Sequence, residues 1–142
     1  MRVTLKNFVT YTSAEFYPGP NMNLVIGPNG SGKSTIVCAI CLGLGYSPNV
    51  LGRATALGDY VQHGKETAEI EIELAEGDNK STVIKRRLKK DKNQSTYYVN
   101  GTESCFDHLM LGKQDTLAKV QEIMARFNIQ IDNLWYFHLL RC

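Results

Sequence analysis

Residues Gly27-Pro28-Asn29-Gly30-Ser31-Gly32-Lys33-Ser34 satisfy the pattern G-x-x-x-x-G-K-[ST]. The flanks are the ones this motif requires. The short apolar run Met22-Asn23-Leu24-Val25-Ile26 precedes it and predicts a buried strand, and the apolar segment Ile36 to Leu44 follows it and predicts a helix packed on several sides. Glycines let such a loop turn tightly enough for successive N–H groups to converge on phosphate oxygens, and the helix N-terminus adds about half a positive charge. In this arrangement Lys33 reaches the β- and γ-phosphates, and the Ser34 hydroxyl is the candidate ligand for a Mg²⁺ held by the same oxygens. Thr35 follows on the helix as a further candidate. The competing account is a glycine-rich turn with an accidental lysine, which the full match and its flanks set aside.

The remaining elements are read from periodicity. Val3–Tyr11 and Ala14–Tyr17 are rich in β-branched and aromatic residues and predict two strands, stopped by Pro18-Gly19-Pro20-Asn21. Gly43, Gly45 and Pro48 supply stop signals for the helix, and residues 46–67 predict a loop with brief helical turns. Ala68–Leu74 alternates strictly, with Glu69, Glu71 and Glu73 on one face. With Thr82–Leu88 and Ser95–Val99 it predicts an antiparallel meander ending at Asn100-Gly101. Leu117, Val120, Ile123, Met124 and Phe127 stand at helical spacing within Asp115–Phe127, with Asp115 or Thr116 offered as N-cap. Ile129 to Cys142 predicts no element.

A chain of 142 residues, 43% hydrophobic and 21% charged, has the composition of one ordinary folded domain. Its longest nearly apolar run is far shorter than the roughly 20 residues that cross a bilayer, so no membrane segment is expected. The N-terminus lacks the succession of a secretory signal, and Cys38, Cys41, Cys105 and Cys142 are few, which together predict a reducing compartment. Cys38-x-x-Cys41 lies on an apolar helix without a second ligand pair, so these are expected to be small buried side chains. His63, His108 and His138 are scattered and take no role.

Hydrolysis also requires an acidic metal ligand and a group that orients water. No apolar run ending in Asp or Glu stands out; Glu69, Glu71 and Glu73 are expected instead to pair across the sheet with Lys85, Arg86 or Arg87. Seven of the 16 basic side chains fall between Lys80 and Lys92. They either contact the phosphates of a duplex or form a solvated hairpin facing the acidic strand.

The segment Asn23 to Thr35, together with Leu5-Lys6-Asn7-Phe8-Val9-Thr10-Tyr11, resembles the nucleotide-binding head of the structural maintenance of chromosomes (SMC) ATPases and their double-strand-break repair relative. Ile36–Gly45, Leu51-Gly52-Arg53-Ala54 and Asn128–Leu134 look like the protein-five branch of that family. The resemblance covers nearly all of residues 1–134. It implies an α/β P-loop NTPase fold, the N-terminal half of an ABC-type head with an antiparallel β subdomain. It further implies ATP and Mg²⁺ as cofactors and a site of Gly27, Pro28, Asn29, Gly30, Ser31, Gly32, Lys33, Ser34 and Thr35. Arg53 is placed near the nucleotide and a DNA-facing surface, and Ser34 on the metal.

The partners so implied are the sixth SMC paralogue, non-SMC subunits and DNA, through Arg53 and the Lys85–Lys92 region, in the nucleus on chromosomes. The implied role is DNA repair by homologous recombination and chromosome maintenance. Residues 135–142, Trp135 to Cys142, depart from the family, which continues into a loop bearing a metal-holding glutamine. They are expected to be an atypical tail arising by truncation or a gene-model artefact. Coiled-coil arms, signature loop and the acidic strand motif lie further along in family members. The chain alone is therefore expected to bind ATP without efficient hydrolysis, with no complete catalytic set. The alternatives are a non-catalytic binding fragment, or a different P-loop protein such as a small-molecule kinase or a transporter ATPase half.

Overall fold

The computed structural model describes residues 1–52, 54–77, 80–91, 94–100, 102–103 and 112–129. A six-stranded antiparallel sheet in the order β2-β1-β3-β4-β5-β6 forms its frame. The strands are β1 (Arg2–Phe8), β2 (Tyr11–Phe16), β3 (Thr67–Gly77), β4 (Lys80–Lys89), β5 (Gln94–Val99) and β6 (Thr102–Glu103). Among the described residues there are also two helices, α1 (Lys33–Gly43) and α2 (Gly112–Arg126), and two short 3₁₀ turns, Pro48–Leu51 and Leu57–Tyr60, which lie within the loop expected over 46–67.

Alternation decides which face each strand buries. Register aligns Val3, Ile72, Ile84 and Val99 in one row across the sheet, and Leu5, Ile70, Arg86 and Tyr97 in the next. All eight are buried. On the opposite face Lys6, Glu69, Arg87 and Thr96 form one row, and Thr4, Glu71, Lys85 and Tyr98 another. Helix α1 lies on the apolar face and buries Cys38, Ala39, Cys41 and Leu42. Gly43 lets the helix end press onto β3, because a Cβ there would stand 2.6 Å from Ile72 Cδ1. Helix α2 contributes Val120, Ile123 and Met124 to the same core. It starts at Gly112, ahead of the Asp115 or Thr116 expected to cap it.

One expected strand is not formed. Met22–Ile26 is not a buried strand: residues 22–28 carry no regular structure, and Met22, Leu24 and Ile26 are 96%, 74% and 83% exposed. A strand exists only through a ladder partner, and β2 and β6 are the edges of the sheet, so among the described residues this segment has no strand beside it. Local order there comes from Asn23, whose Nδ2 donates to Gly19 O and Asn21 O while its Oδ1 accepts from Gly19 N. A central strand feeding the phosphate loop is therefore absent from the described sheet, which is antiparallel throughout.

Candidate functional site: the phosphate loop and its surroundings

The loop runs from Gly27 into the first turn of α1. Gly30 and Gly32 take φ of 82° and 92°, in the left-handed region that L side chains rarely adopt. Gly32 is the N-cap of α1 and brings no side-chain cap. The opening N–H groups of an α-helix lack an acceptor one turn back. The helix proper begins where Thr35 N and Ile36 N donate to Gly32 O at 2.9 and 3.3 Å.

Lys33 folds its side chain back over the loop. Its ammonium donates to Gly27 O at 2.6 Å and Pro28 O at 2.7 Å, leaving the third of its three donors for another acceptor. Ser31 N donates to Pro28 O at 3.3 Å, closing the turn beneath it. Ser34, one residue on, is half-buried in the first helical turn, and Thr35 is buried. Cationic ammonium, first-turn amides and a hydroxyl on one small surface suit a polyanion with an accompanying hard cation.

The β1–β2 turn holds this loop from the other side. A Cβ on Gly32 would lie 2.6 Å from the Tyr11 hydroxyl and 3.3 Å from Thr10 Oγ1. The turn is strained: Asn7 and Val9 have φ of 50° and 48°, and for β-branched Val9 this region costs roughly 1–3 kcal/mol. Contacts to the Leu57–Tyr60 turn impose that conformation. Val9 N donates to Tyr60 O at 2.9 Å, Gln62 N donates to Asn7 O at 2.8 Å, and the Phe8 ring stacks on Tyr60 at 5.8 Å. Between this turn and α1 opens a cavity of about 540 Å³, lined by Val9, Thr35, Cys38, Ala54, Asp59 and Tyr60 among others. Its size falls in the range of small-ligand sites. Sequence reasoning missed the cavity, since Val9, Thr35 and Asp59 meet only through the Val9–Tyr60 pairing, which leaves no periodic trace.

Cys38 and Cys41 are reduced and buried, as their apolar helix predicts. Burial, with a smaller push from Cys38, raises the Cys41 thiol to about 11, so it is not a nucleophile near neutral pH.

The basic stretch separates into three environments. Lys85 Nζ lies 2.9 Å from Glu69 Oε2, and Arg87 approaches Glu69 Oε1 through Nη2 at 2.8 Å and Nε at 2.9 Å. Burial pushes the Glu69 carboxyl up, but hydrogen bonds and charge from Lys85 and Arg87 outweigh it and hold the group below its ordinary range. Glu71 and Glu73 pair instead with Arg2, at 3.7 and 2.9 Å. Arg86 pairs with none of them, which corrects the expectation that placed it among the cross-strand partners. It shares parity with Ile84 and Leu88 and so points to the core, a signal masked in the sequence by the cations on either side. Lys80, Lys89 and Lys90 are exposed. Arg53, Lys92 and the 135–142 tail lie outside the described residues.

Sheet, loop and α1 together define an α/β domain of the P-loop NTPase class, built as the N-terminal half of an ABC-type head. A family model described as an AAA domain matches residues 2–141. Structural maintenance of chromosomes protein 5 of Schizosaccharomyces pombe is 43% identical over 137 residues, covering 96% of this chain, and that of Arabidopsis thaliana is 39% identical over the same share. The chain spans 12% of the length of either relative. A solved structure from work on ATP-driven dimerization and DNA-stimulated activation of SMC ATPases superposes with a TM-score of 0.74 at 25% identity, covering 92% of this chain and 80% of that one. The chain belongs to the AAA domain family and, within it, is homologous to structural maintenance of chromosomes protein 5 as an N-terminal head segment.

Proposed function

We propose that residues 1–134 bind ATP as the N-terminal lobe of an SMC protein 5-type ATPase head. The observation that carries this is the Lys33 ammonium folded back onto Gly27 O and Pro28 O, on a glycine-turned loop that leads directly into the N-terminus of α1. Gly27, Pro28, Asn29, Gly30, Ser31 and Gly32 shape the cradle, Lys33 neutralises phosphate charge, and Thr35 lies between the loop and the cavity, which is large enough for the nucleoside. Mg²⁺ fits the donor set: the Ser34 hydroxyl is a hard oxygen that would help hold the ion, which would supply charge neutralisation to a bound phosphate chain. Arg53 is assigned to the nucleotide and DNA-facing side on the strength of the family resemblance.

Two surfaces support the view that this lobe is completed by another. Met22, Leu24 and Ile26 are exposed on a segment without a strand partner among the described residues, and Ile36, Val37 and Ile40 on α1 are only half-buried. Both are apolar and flank the loop. Turnover is then a property of the assembled head, with this chain binding nucleotide and not hydrolysing it efficiently alone. By the same reading it works with the sixth SMC paralogue and non-SMC subunits on DNA, in the nucleus on chromosomes, in repair by homologous recombination.

Titrating the purified chain with a fluorescent ATP analogue and Mg²⁺, beside Lys33→Ala and Arg53→Ala, tests the proposal. Binding by the parent and its loss in Lys33→Ala are expected. Equal affinity in parent and Lys33→Ala defeats the assignment of the loop.

A further inference from the structure

Arg86 is a cation where alternation calls for an aliphatic side chain. It sits on the core face of β4 between Ile84 and Leu88, cross-strand from Ile70 and Tyr97, and is 6% exposed. Burial pulls its pKa below the usual arginine value. The ion pairs among the described residues do not include it. Burying a guanidinium without a carboxylate is unfavourable unless dipoles replace water around it.

Those dipoles come from the end of α1. Arg86 Nη1 donates to Leu42 O at 2.6 Å and approaches Tyr46 O at 3.3 Å, so it bridges the two sides of the helix exit that Gly45 turns at a φ of 96°. Leu42 O is among the last carbonyls of the helix, the negative end of its macrodipole. On its other side Arg86 Nε donates to Ser95 Oγ at 3.1 Å, and the guanidinium lies 4.8 Å from the centre of the Tyr97 ring. One side chain thus joins the C-terminal end of α1 to β4 and β5.

We infer that Arg86 is a positioning residue for the phosphate loop, fastening the far end of the helix whose first turn carries Lys33 and Ser34. The inference rests on the proposed nucleotide site. The mechanism is leverage: α1 has 11 residues, so it is about 16 Å long, and a pivot of about 10° at its anchored end displaces the loop end by roughly 3 Å. That displacement exceeds the tolerance of an N–H···O hydrogen bond. Gly43 against Ile70 and Ile72 fixes the distance of the helix from the sheet, while the Arg86 bonds fix its direction.

The test compares Arg86→Met, which keeps the stem and removes the donors, with Arg86→Lys and with Ile84→Ala, which opens a cavity on the same strand but removes no donor to the carbonyls at the exit of α1. Affinity for the fluorescent ATP analogue with Mg²⁺ and hydrogen exchange at Thr35 and Ile36 are read well below each thermal midpoint. Arg86→Met is expected to weaken binding about tenfold and to speed exchange at those two amides beyond the effect of Ile84→Ala, with Arg86→Lys recovering part of both. Parent-like affinity and exchange in Arg86→Met overturn the inference, as does an equal effect from Ile84→Ala. If Arg86→Met does not fold, Arg86→Lys decides the matter in the same direction, with parent-like values overturning it. If the parent binds no nucleotide, the nucleotide reading falls, while the exchange comparison still decides the role of Arg86.

Discussion

Gly32 meets two demands that no other residue type satisfies together. Its φ of 92° lies where an L side chain is strained, and the space a Cβ would take is held by the Tyr11 hydroxyl and ring carbon at 2.6 and 2.9 Å. Gly32→Ala is therefore expected to destabilise the chain by about 1–3 kcal/mol in denaturant titrations and to weaken nucleotide binding, because relief requires either the loop or the β1–β2 turn to move. Tyr11→Phe alone does not restore Gly32→Ala, since the ring carbon remains in the way; full rescue by it would show that the hydroxyl is the sole obstacle. The glycine was legible in the sequence, because the motif specifies it. Its tight contact with Tyr11 was not, as two segments some 20 residues apart meet only once β1 and β2 have paired. Arg86 shows the intermediate case, in which parity with Ile84 and Leu88 was present in the sequence but hidden among neighbouring cations.

Elements with a periodic or compositional signal of their own and a partner to pack on were recovered, and Met22–Ile26, which has no ladder partner among the described residues, was not. Strands β1, β3, β4 and β5 and helices α1 and α2 each carry their own pattern of buried positions, with ends that differ from expectation by a few residues. The run Met22–Ile26 carries the composition of a buried strand, yet composition cannot supply the strand beside it. This difference makes a prediction at the same scale. Leu24→Asp with Ile26→Asp is expected to leave the thermal midpoint of the chain nearly unchanged, since both side chains are already exposed and surface substitutions typically shift stability by no more than about 0.5 kcal/mol. The same pair is expected to abolish association with a separately produced C-terminal lobe of an SMC protein 5 head. A large loss of stability in the isolated chain, seen by differential scanning calorimetry, would instead mean that residues 22–26 are packed within it.

Across the whole molecule, charge is sorted by the sheet. The outward face of β1, β3 and β4 is largely neutralised within itself, with Glu69 shared by Lys85 and Arg87, and Arg2 shared by Glu15, Glu71 and Glu73. The formal excess of +2 is thus not spread over that face, and the exposed Lys89 and Lys90 at the end of β4 stand apart from these acidic partners. Their backbone is well fixed: Lys90 N donates to Glu66 O at 3.0 Å, and Lys90 O packs so closely on Gly58 that a Cβ there would stand 2.7 Å away. A turn held at its backbone and bearing two exposed lysines suits phosphate contact without sequence preference. Each duplex phosphate neutralised steepens the salt dependence of log K by about 0.9, so Lys89→Glu with Lys90→Glu is expected to make the slope for duplex DNA shallower by about 2, with thermal stability retained. Lys85→Gln serves as the comparison, because its ammonium is already engaged by Glu69 and its loss should leave the slope near the parent value. A slope unchanged by the double reversal removes Lys89 and Lys90 from any duplex-contacting surface.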